Sequence, residues 1–119
     1  MKALILCCEK IRDKQCIGCE RCLKASREKL GNFDLENEES SVEIVGILGC
    51  GGCPGLFLQR IKLFNKWIEG MDDYDVIFIG NCVKAMAESN KCSWTIEDLK
   101  SKIEEKFGKK VIVGTHPWA

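Results

Sequence analysis

The chain has 119 residues, of which 45% are apolar and 30% charged, with 18 basic and 18 acidic side chains. This composition predicts one soluble domain over residues 1–119 and excludes a disordered or collagen-like chain. The charge balance provides no overall field for nucleic acid or for a membrane surface, so we expect neither as a partner. The apolar runs at 3–8 and 76–79 are too short to cross a bilayer, and no cleavage site follows the first run. We therefore expect a cytoplasmic protein.

Short apolar, β-branched runs alternate with helical patterns along the chain. The runs predict buried strands at 3–6, 42–48, 76–79 and 111–113. Apolar residues at helical spacing predict helices at 21–30, 56–69 and 96–107. Pro54 precedes the second helix, Thr95 is placed to cap the third, and Gly108 follows its end. This order predicts an α/β fold: a small doubly wound (flavodoxin- or Rossmann-like) four-stranded parallel sheet with flanking helices.

The cysteine content departs from that of an ordinary soluble domain. There are nine cysteines, an odd number, and two of them, Cys7 and Cys8, are adjacent. Together with the absence of an export signal, these features argue against a disulfide framework. Reduced thiols gathered in this way indicate metal binding or redox chemistry.

A candidate ligand follows each predicted strand. These ligands, in chain order, are Cys8, Cys50, Cys82 and His116. The carboxyl ends of parallel strands share one edge of a sheet, and ligands bind in the crevice there. The sequence therefore predicts that these side chains converge on one metal centre, or two, along a single edge.

The loop after the first strand carries a double C-x2-C pattern, formed by Cys16, Cys19 and Cys22. This spacing lets neighbouring thiolates bind one centre and recurs in zinc sites and in iron–sulfur ligation. In the bacterial ferredoxin pattern a fourth cysteine would stand at position 26, which is Ser26 here. A fourth ligand must therefore come from another loop.

The segment Cys50-Gly51-Gly52-Cys53 lies between the second strand and the second helix. Backbone amides and the helix dipole at such a position favour a thiolate that is reactive or ready to bind metal. Gly51 and Gly52 would let a bulky cluster approach the backbone, and we expect both to contact the cofactor.

The connection from Cys82 to Cys92 is interpreted as a loop that folds over the sheet edge as a lid, with one thiol at each end.

The sequence gives less support to phosphate-binding, phosphatase-like or hydrolase sites. The chain has no G-x-x-x-x-G-K-[ST] phosphate loop and no C-x5-R loop after its first strand. A Cys-His-Asn hydrolase would need His116 together with an orienting partner that the sequence does not identify.

The motifs as a set resemble the CGGC-domain family over nearly the whole chain. The residues that carry the resemblance are the run from Glu43 to Gly55, Cys8, Cys16, Cys22, the run from Lys29 to Phe33, Cys82, Cys92 and the run from Gly114 to His116. The resemblance implies a metal-binding, above all zinc-binding, domain that uses those cysteines and His116. Here Cys92-Ser-Trp94 replaces a cysteine-proline-histidine stretch, and Cys7 and Cys19 are additional thiols. Losing a nitrogen ligand and gaining sulfur favours iron–sulfur over zinc.

The leading hypothesis is a cytoplasmic metalloprotein with an iron–sulfur cluster, used for electron transfer or redox sensing with a possible redox protein partner. One alternative is a structural domain that binds Zn²⁺ and docks a protein partner. Another is a thiol–disulfide oxidoreductase using Cys50 and Cys53, so enzymatic activity stays open. Cys7 is expected to matter least. The predicted metal ligands are Cys8, Cys16, Cys19, Cys22, Cys50, Cys53, Cys82, Cys92 and His116.

Overall fold

The structure, a computed structural model, describes residues 1–34, 42–52 and 55–118. Its strands are β1 (Lys2–Cys7), β2 (Glu43–Gly49), β3 (Val76–Ile79) and β4 (Lys110–Val113). Its α-helices are α1 (Glu20–Glu28), α2 (Phe57–Trp67), α3 (Asn81–Glu88) and α4 (Ile96–Phe107). A 3₁₀ turn follows α1 at Gly31–Phe33.

The strands form one sheet in the order β2-β1-β3-β4, and all three pairings are parallel. The predicted doubly wound α/β fold is therefore confirmed. Leu6 pairs with Ile79, and Ile79 pairs with Val113, so neighbouring strands end nearly level. The chain crosses in opposite directions from β1 and from β3, which opens a crevice between those two strands at the carboxyl edge.

The two faces of the sheet are packed separately. Leu4 and Leu6 pack with residues of α2, α3 and α4, whereas Ala3 and Ile5 pack with residues of α1 and the 3₁₀ turn. This division follows from the alternation of side chains along a strand. We call these the α2–α4 face and the α1 face.

The prediction of a lid loop between Cys82 and Cys92 is wrong, because α3 begins directly after β3. Gly80 has extended backbone angles (φ −60°, ψ 154°), and its carbonyl accepts a hydrogen bond from the Lys84 amide at 3.1 Å. Val83 is buried, and Met86 packs against the core of the α2–α4 face. Since alanine and methionine also favour helix, both local propensity and burial stabilise this short element.

The predicted cap of α4 is confirmed. The Thr95 hydroxyl accepts a hydrogen bond from the Asp98 amide at 3.2 Å, and Gly108 ends the helix in the left-handed region (φ 65°). Helix α1 ends two residues earlier than predicted, because Lys29 already has left-handed angles. Pro54 lies outside the described residues. Within the described ranges, no helix is both long and apolar enough to cross a membrane.

Candidate metal centre

A cavity of about 620 Å³ opens at the carboxyl edge between the ends of β1 and β3. We call it the major thiol cavity. Asn81, His116 and Trp118 also line it, as do the apolar side chains of Ile5 and Ile11. The thiols in its wall belong to Cys7, Cys16, Cys19, Cys22 and Cys82.

Several elements bring these thiols together. Cys7 is the last residue of β1, and Cys82 is the second residue of α3. Cys19 is the N-cap of α1, and Cys22 lies in its first turn. Two helix N-termini therefore lie beside the cavity, where backbone amides and helix dipoles stabilise negative charge.

Backbone hydrogen bonds fix the loop that leads to the C-x2-C pattern. The Ile11 carbonyl accepts bonds from the amides of Gln15 and Cys16 at 2.8 and 3.3 Å, and Asp13 Oδ1 accepts one from Gly18 at 2.8 Å. Ser26 stands at the position of the fourth ferredoxin cysteine. It is buried, and its hydroxyl donates a hydrogen bond to the Val42 carbonyl. The further thiols in the cavity come from β1 and α3, as expected of a ligand supplied from another part of the chain.

Burial raises the pKa of four thiols of the major cavity, Cys7, Cys19, Cys22 and Cys82. Burial, reinforced by the neighbouring Cys82 and Cys19, raises the pKa of Cys7 to about 12, although Arg12 partly opposes the shift. Arg12 Nη1 lies 3.9 Å from the Cys7 sulfur. Burial likewise raises the pKa of Cys82 to about 11, opposed by the Cys8 amide, which donates to the Cys82 sulfur at 3.1 Å. A bound metal must displace the protons of these thiols.

A hydrogen-bond network lies along the ends of β3 and β4. The Cys22 sulfur is 3.1 Å from Thr115 Oγ1, and Asn81 Oδ1 accepts a bond from the Thr115 amide at 2.7 Å. Asn81 Nδ2 lies 3.3 Å from His116 Nδ1, and the His116 ring stacks on Trp118 at a centroid distance of 5.8 Å. Asn81 is thus the orienting partner of His116 that sequence reasoning did not identify. The network positions His116 in the cavity wall.

A second group of thiols packs on the α2–α4 face around a cavity of about 10 Å³. We call this the minor thiol cavity, and its thiols are those of Cys8, Cys50 and Cys92. Burial raises the pKa of Cys8, partly opposed by hydrogen bonds from the backbone amides of Lys10 and Ile11. The sheet edge therefore holds two groups of thiols rather than a single convergent group, and Cys82 of the major cavity also packs against the core of the α2–α4 face.

The glycine pair after β2 has a backbone role. Gly51 and Gly52 have φ angles of 79° and 88°, which L side chains rarely adopt. Neither residue belongs to the walls of the major or minor cavity, although both were predicted to contact a cofactor. The Cys50 carbonyl accepts a bond from the Leu56 amide at 2.8 Å, and α2 begins only at Phe57. Cys53 lies outside the described residues.

The donor set fits a soft metal, but it is not arranged around one. Within residues 1–34, 42–52 and 55–118, no three cysteine, histidine or carboxylate side chains are positioned to hold a metal ion. Thiolates select zinc and iron–sulfur clusters over hard cations, so the chemistry of the thiols is appropriate. Binding would require deprotonation and rotation of the cysteine side chains. Cys7, left out of the predicted ligand set, lines the major cavity.

The fold and the thiols define a cysteine-rich, doubly wound α/β protein. The CGGC domain model matches residues 2–116, and the chain belongs to this family. It is 34% identical over 121 aligned positions to uncharacterized protein MJ0582 of Methanocaldococcus jannaschii, covering 98% of this chain and 87% of that protein. It is also 34% identical over 73 positions to uncharacterized protein MJ0766 of the same organism, covering 60% of this chain and 98% of that protein. No solved structure matches the chain. Family membership supports metal binding without fixing the metal.

Proposed function

We propose that the protein binds an iron–sulfur cluster in the major thiol cavity and uses it for electron transfer or redox sensing. The observation that carries this proposal is the gathering of five thiols around one cavity of about 620 Å³ at the crevice between β1 and β3. Cys16, Cys19, Cys22 and Cys82 would supply the ligands, with Cys7 as a fifth thiol in reach of the same space.

The size of the cavity favours a polynuclear cluster over a single ion. Four thiolates bind a structural zinc ion at about 2.3 Å and close around it, which leaves no room for a cavity. Known ligand pockets span roughly 300–1,000 Å³, and the major thiol cavity lies within that range. The space therefore exceeds what one ion needs.

The surroundings of the thiols also suit redox use. An iron–sulfur cluster supplies reversible one-electron chemistry, and its potential depends on hydrogen bonds to the sulfurs and on exposure to solvent. The Cys8 amide already donates to the Cys82 sulfur at 3.1 Å, and Thr115 contacts the Cys22 sulfur at 3.1 Å. The N-termini of α1 and α3 favour the negative charge that cluster thiolates carry.

The electrostatics of these thiols make a dithiol enzyme a weaker explanation for the major cavity. A catalytic thiol needs a lowered pKa, because the thiolate is the nucleophile. Burial raises the pKa of Cys7, Cys19, Cys22 and Cys82 instead. The oxidoreductase alternative rests on Cys50 and Cys53 alone and leaves the five thiols of the major cavity without a role.

A second candidate function, zinc binding, is favoured at the minor thiol cavity by its size. A volume of about 10 Å³ corresponds to about one water-sized sphere, which suits a single ion and not a cluster. Cys8, Cys50 and Cys92 would provide three thiolates there. In this role the ion would join β1, β2 and the segment after α3 and would contribute to stability.

Anaerobic reconstitution with iron and sulfide tests the leading proposal. We expect a brown protein with iron and acid-labile sulfide in stoichiometric amounts. Cys22→Ala should lose most of both, whereas the matched control Cys92→Ala, a half-buried thiol of the minor cavity, should retain them. Colourless wild-type protein without iron would overturn the proposal, as would equal iron contents in the two variants.

A further inference from the structure

We infer that His116 is not a metal ligand: Asn81 holds His116 Nδ1 as a hydrogen-bond acceptor, so that the ring proton resides on Nε2 and the major cavity offers a metal no imidazole nitrogen. This goes against the expectation that the single histidine supplies the nitrogen ligand. The part that concerns the donor set rests on the proposed function, whereas the position of the proton does not.

The orientation of the Asn81 amide is fixed by two backbone groups. The Thr115 amide donates to Asn81 Oδ1 at 2.7 Å, so that atom must be the oxygen. Asn81 Nδ2 donates to the His116 carbonyl at 2.8 Å, so that atom must be the nitrogen. Exchanging the two atoms would place donor against donor and acceptor against acceptor. The backbone therefore determines which end of the side chain faces the imidazole.

The imidazole then has one compatible neutral form. Asn81 Nδ2 is a donor, and it lies 3.3 Å from His116 Nδ1, so Nδ1 must present its lone pair. A neutral imidazole carries a proton on one nitrogen, which leaves it on Nε2. Coordination through Nε2 would require moving that proton to Nδ1, against the Asn81 donor.

His116 therefore acts as a wall of the cavity and not as a ligand. Its ring stacks on Trp118, and its backbone is bonded to Asn81, the residue that precedes Cys82. Asn81 and His116 together link the segment after β4 to the start of α3. This arrangement positions Cys82 beside the cavity, and without an imidazole ligand the thiols favour a cysteine-ligated cluster over a mixed cysteine and histidine zinc site.

Long-range ¹H–¹⁵N correlation spectra of the metal-free protein test the position of the proton directly. The chain has a single histidine, so the imidazole signals need no assignment by mutation. At neutral pH we expect a protonated Nε2 and an unprotonated Nδ1. A protonated Nδ1 in the wild-type spectrum would overturn the inference. Because the spectrum is recorded without metal, the position of the proton is tested whether or not the protein binds a cluster.

A matched pair of variants tests the donor set. His116→Phe keeps an aromatic ring beside Trp118 and removes both nitrogens, and we expect its iron content after reconstitution to equal that of the wild type within a tenth. Asn81→Asp replaces the Nδ2 donor by an oxygen that faces both Nδ1 and the His116 carbonyl, and its long-range spectrum should show the proton on Nδ1. A twofold or greater loss of iron in folded His116→Phe would overturn the inference, as would nitrogen hyperfine coupling from His116 in the electron paramagnetic resonance of the reduced wild-type protein. Absence of iron from the wild type itself would instead contradict the proposed function.

Discussion

The two thiol cavities share one edge of one sheet, yet they differ in almost every physical property. The major cavity has five thiols around about 620 Å³, and the minor cavity, on the α2–α4 face, has three thiols around about 10 Å³. The difference begins at the end of β1, where Cys7 lines the first cavity and Cys8 the second. Adjacent residues of a strand point to opposite faces, so a pair of cysteines is divided between two environments. Proximity in sequence here does not mean a shared ligand set.

The largest expected effect is reciprocal loss of metal from the two cavities. Cys82→Ala should lower iron content at least tenfold while leaving the zinc bound at saturation unchanged, because Cys82 lines the major cavity and not the minor one. Cys50→Ala should do the reverse, because it removes a thiol of the minor cavity. Metal analysis by mass spectrometry after anaerobic loading with each metal checks both. Loss of both metals from either variant would contradict the division of the thiols into two ligand sets.

The next effect is loss of stability at alkaline pH in the metal-free, reduced protein. The pKa of Cys7 is about 12 in the folded protein and 9.0 for an ordinary thiol, so the unfolded chain loses this proton first as pH rises. The contribution of Cys7 is fully present below pH 9 and is lost towards pH 12, on the order of a few kcal/mol. Denaturant titrations at several pH values measure it.

A matched pair of variants isolates the contribution of Cys7. Cys7→Ala should show a shallower loss of stability with pH than the wild type, whatever its stability at neutral pH. Cys50→Ala leaves every thiol of the major cavity in place and should follow the wild-type slope. Equal slopes for Cys7→Ala and the wild type would contradict the assignment of the effect to this thiol.

Glycines near the two cavities should differ in their tolerance of a side chain. A Cβ at Gly80 would lie 2.7 Å from the Leu6 carbonyl oxygen and 3.4 Å from the Cys82 sulfur, so the end of β1 or the start of α3 must shift. We expect Gly80→Ala to cost about 1–3 kcal/mol and to lower iron content. At Gly52 no atom of the described residues lies within 4 Å of such a Cβ, and Gly52→Ala should cost only about 1 kcal/mol through its positive φ. Thermal or urea unfolding measures the free energy of unfolding of both variants. A larger loss in Gly52→Ala than in Gly80→Ala would contradict the prediction.

The smallest effect is expected at Thr115, which is buried and whose hydroxyl contacts Cys22 and Asn81. Thr115→Val removes the hydroxyl contact to Cys22 and should cost about 1 kcal/mol, whereas Thr115→Ser keeps the hydroxyl and should retain most of that energy. Urea unfolding of both variants in metal-free form distinguishes the hydrogen bond from the packing of the methyl group. A larger loss in Thr115→Ser than in Thr115→Val would assign the effect to packing.

The fold was largely predictable because the buried faces of strands and helices require apolar residues at characteristic spacings in the sequence. The run 76–79 is buried throughout, and the α4 pattern buries Leu99 and Ile103 on one face. Helix α3 escaped prediction because it has only eight residues and follows β3 without a polar turn. Its apolar residues, Val83 and Met86, are too few to define a period. Short elements depend on tertiary packing, which a local pattern does not record.

The candidate site was predictable as a position but not as an arrangement. The rule for parallel sheets leads to the carboxyl edge, where both thiol cavities lie. The division of Cys7 and Cys8 between the faces follows from strand alternation, once β1 is known to extend through Cys7. The contact between Asn81 and His116 joins residues 35 positions apart, and only the three-dimensional pairing of β3 with β4 reveals it.

The hydrogen bond from the Cys8 amide to the Cys82 sulfur connects the two thiol cavities. Its strength depends on the electron density at sulfur, because a more negative sulfur attracts the amide proton more strongly. The same peptide unit bears the Cys8 side chain on the opposite face. A change of charge on one side of the sheet is thereby transmitted through one amide to the other, so the two cavities are expected to show thermodynamic coupling despite having no thiol in common.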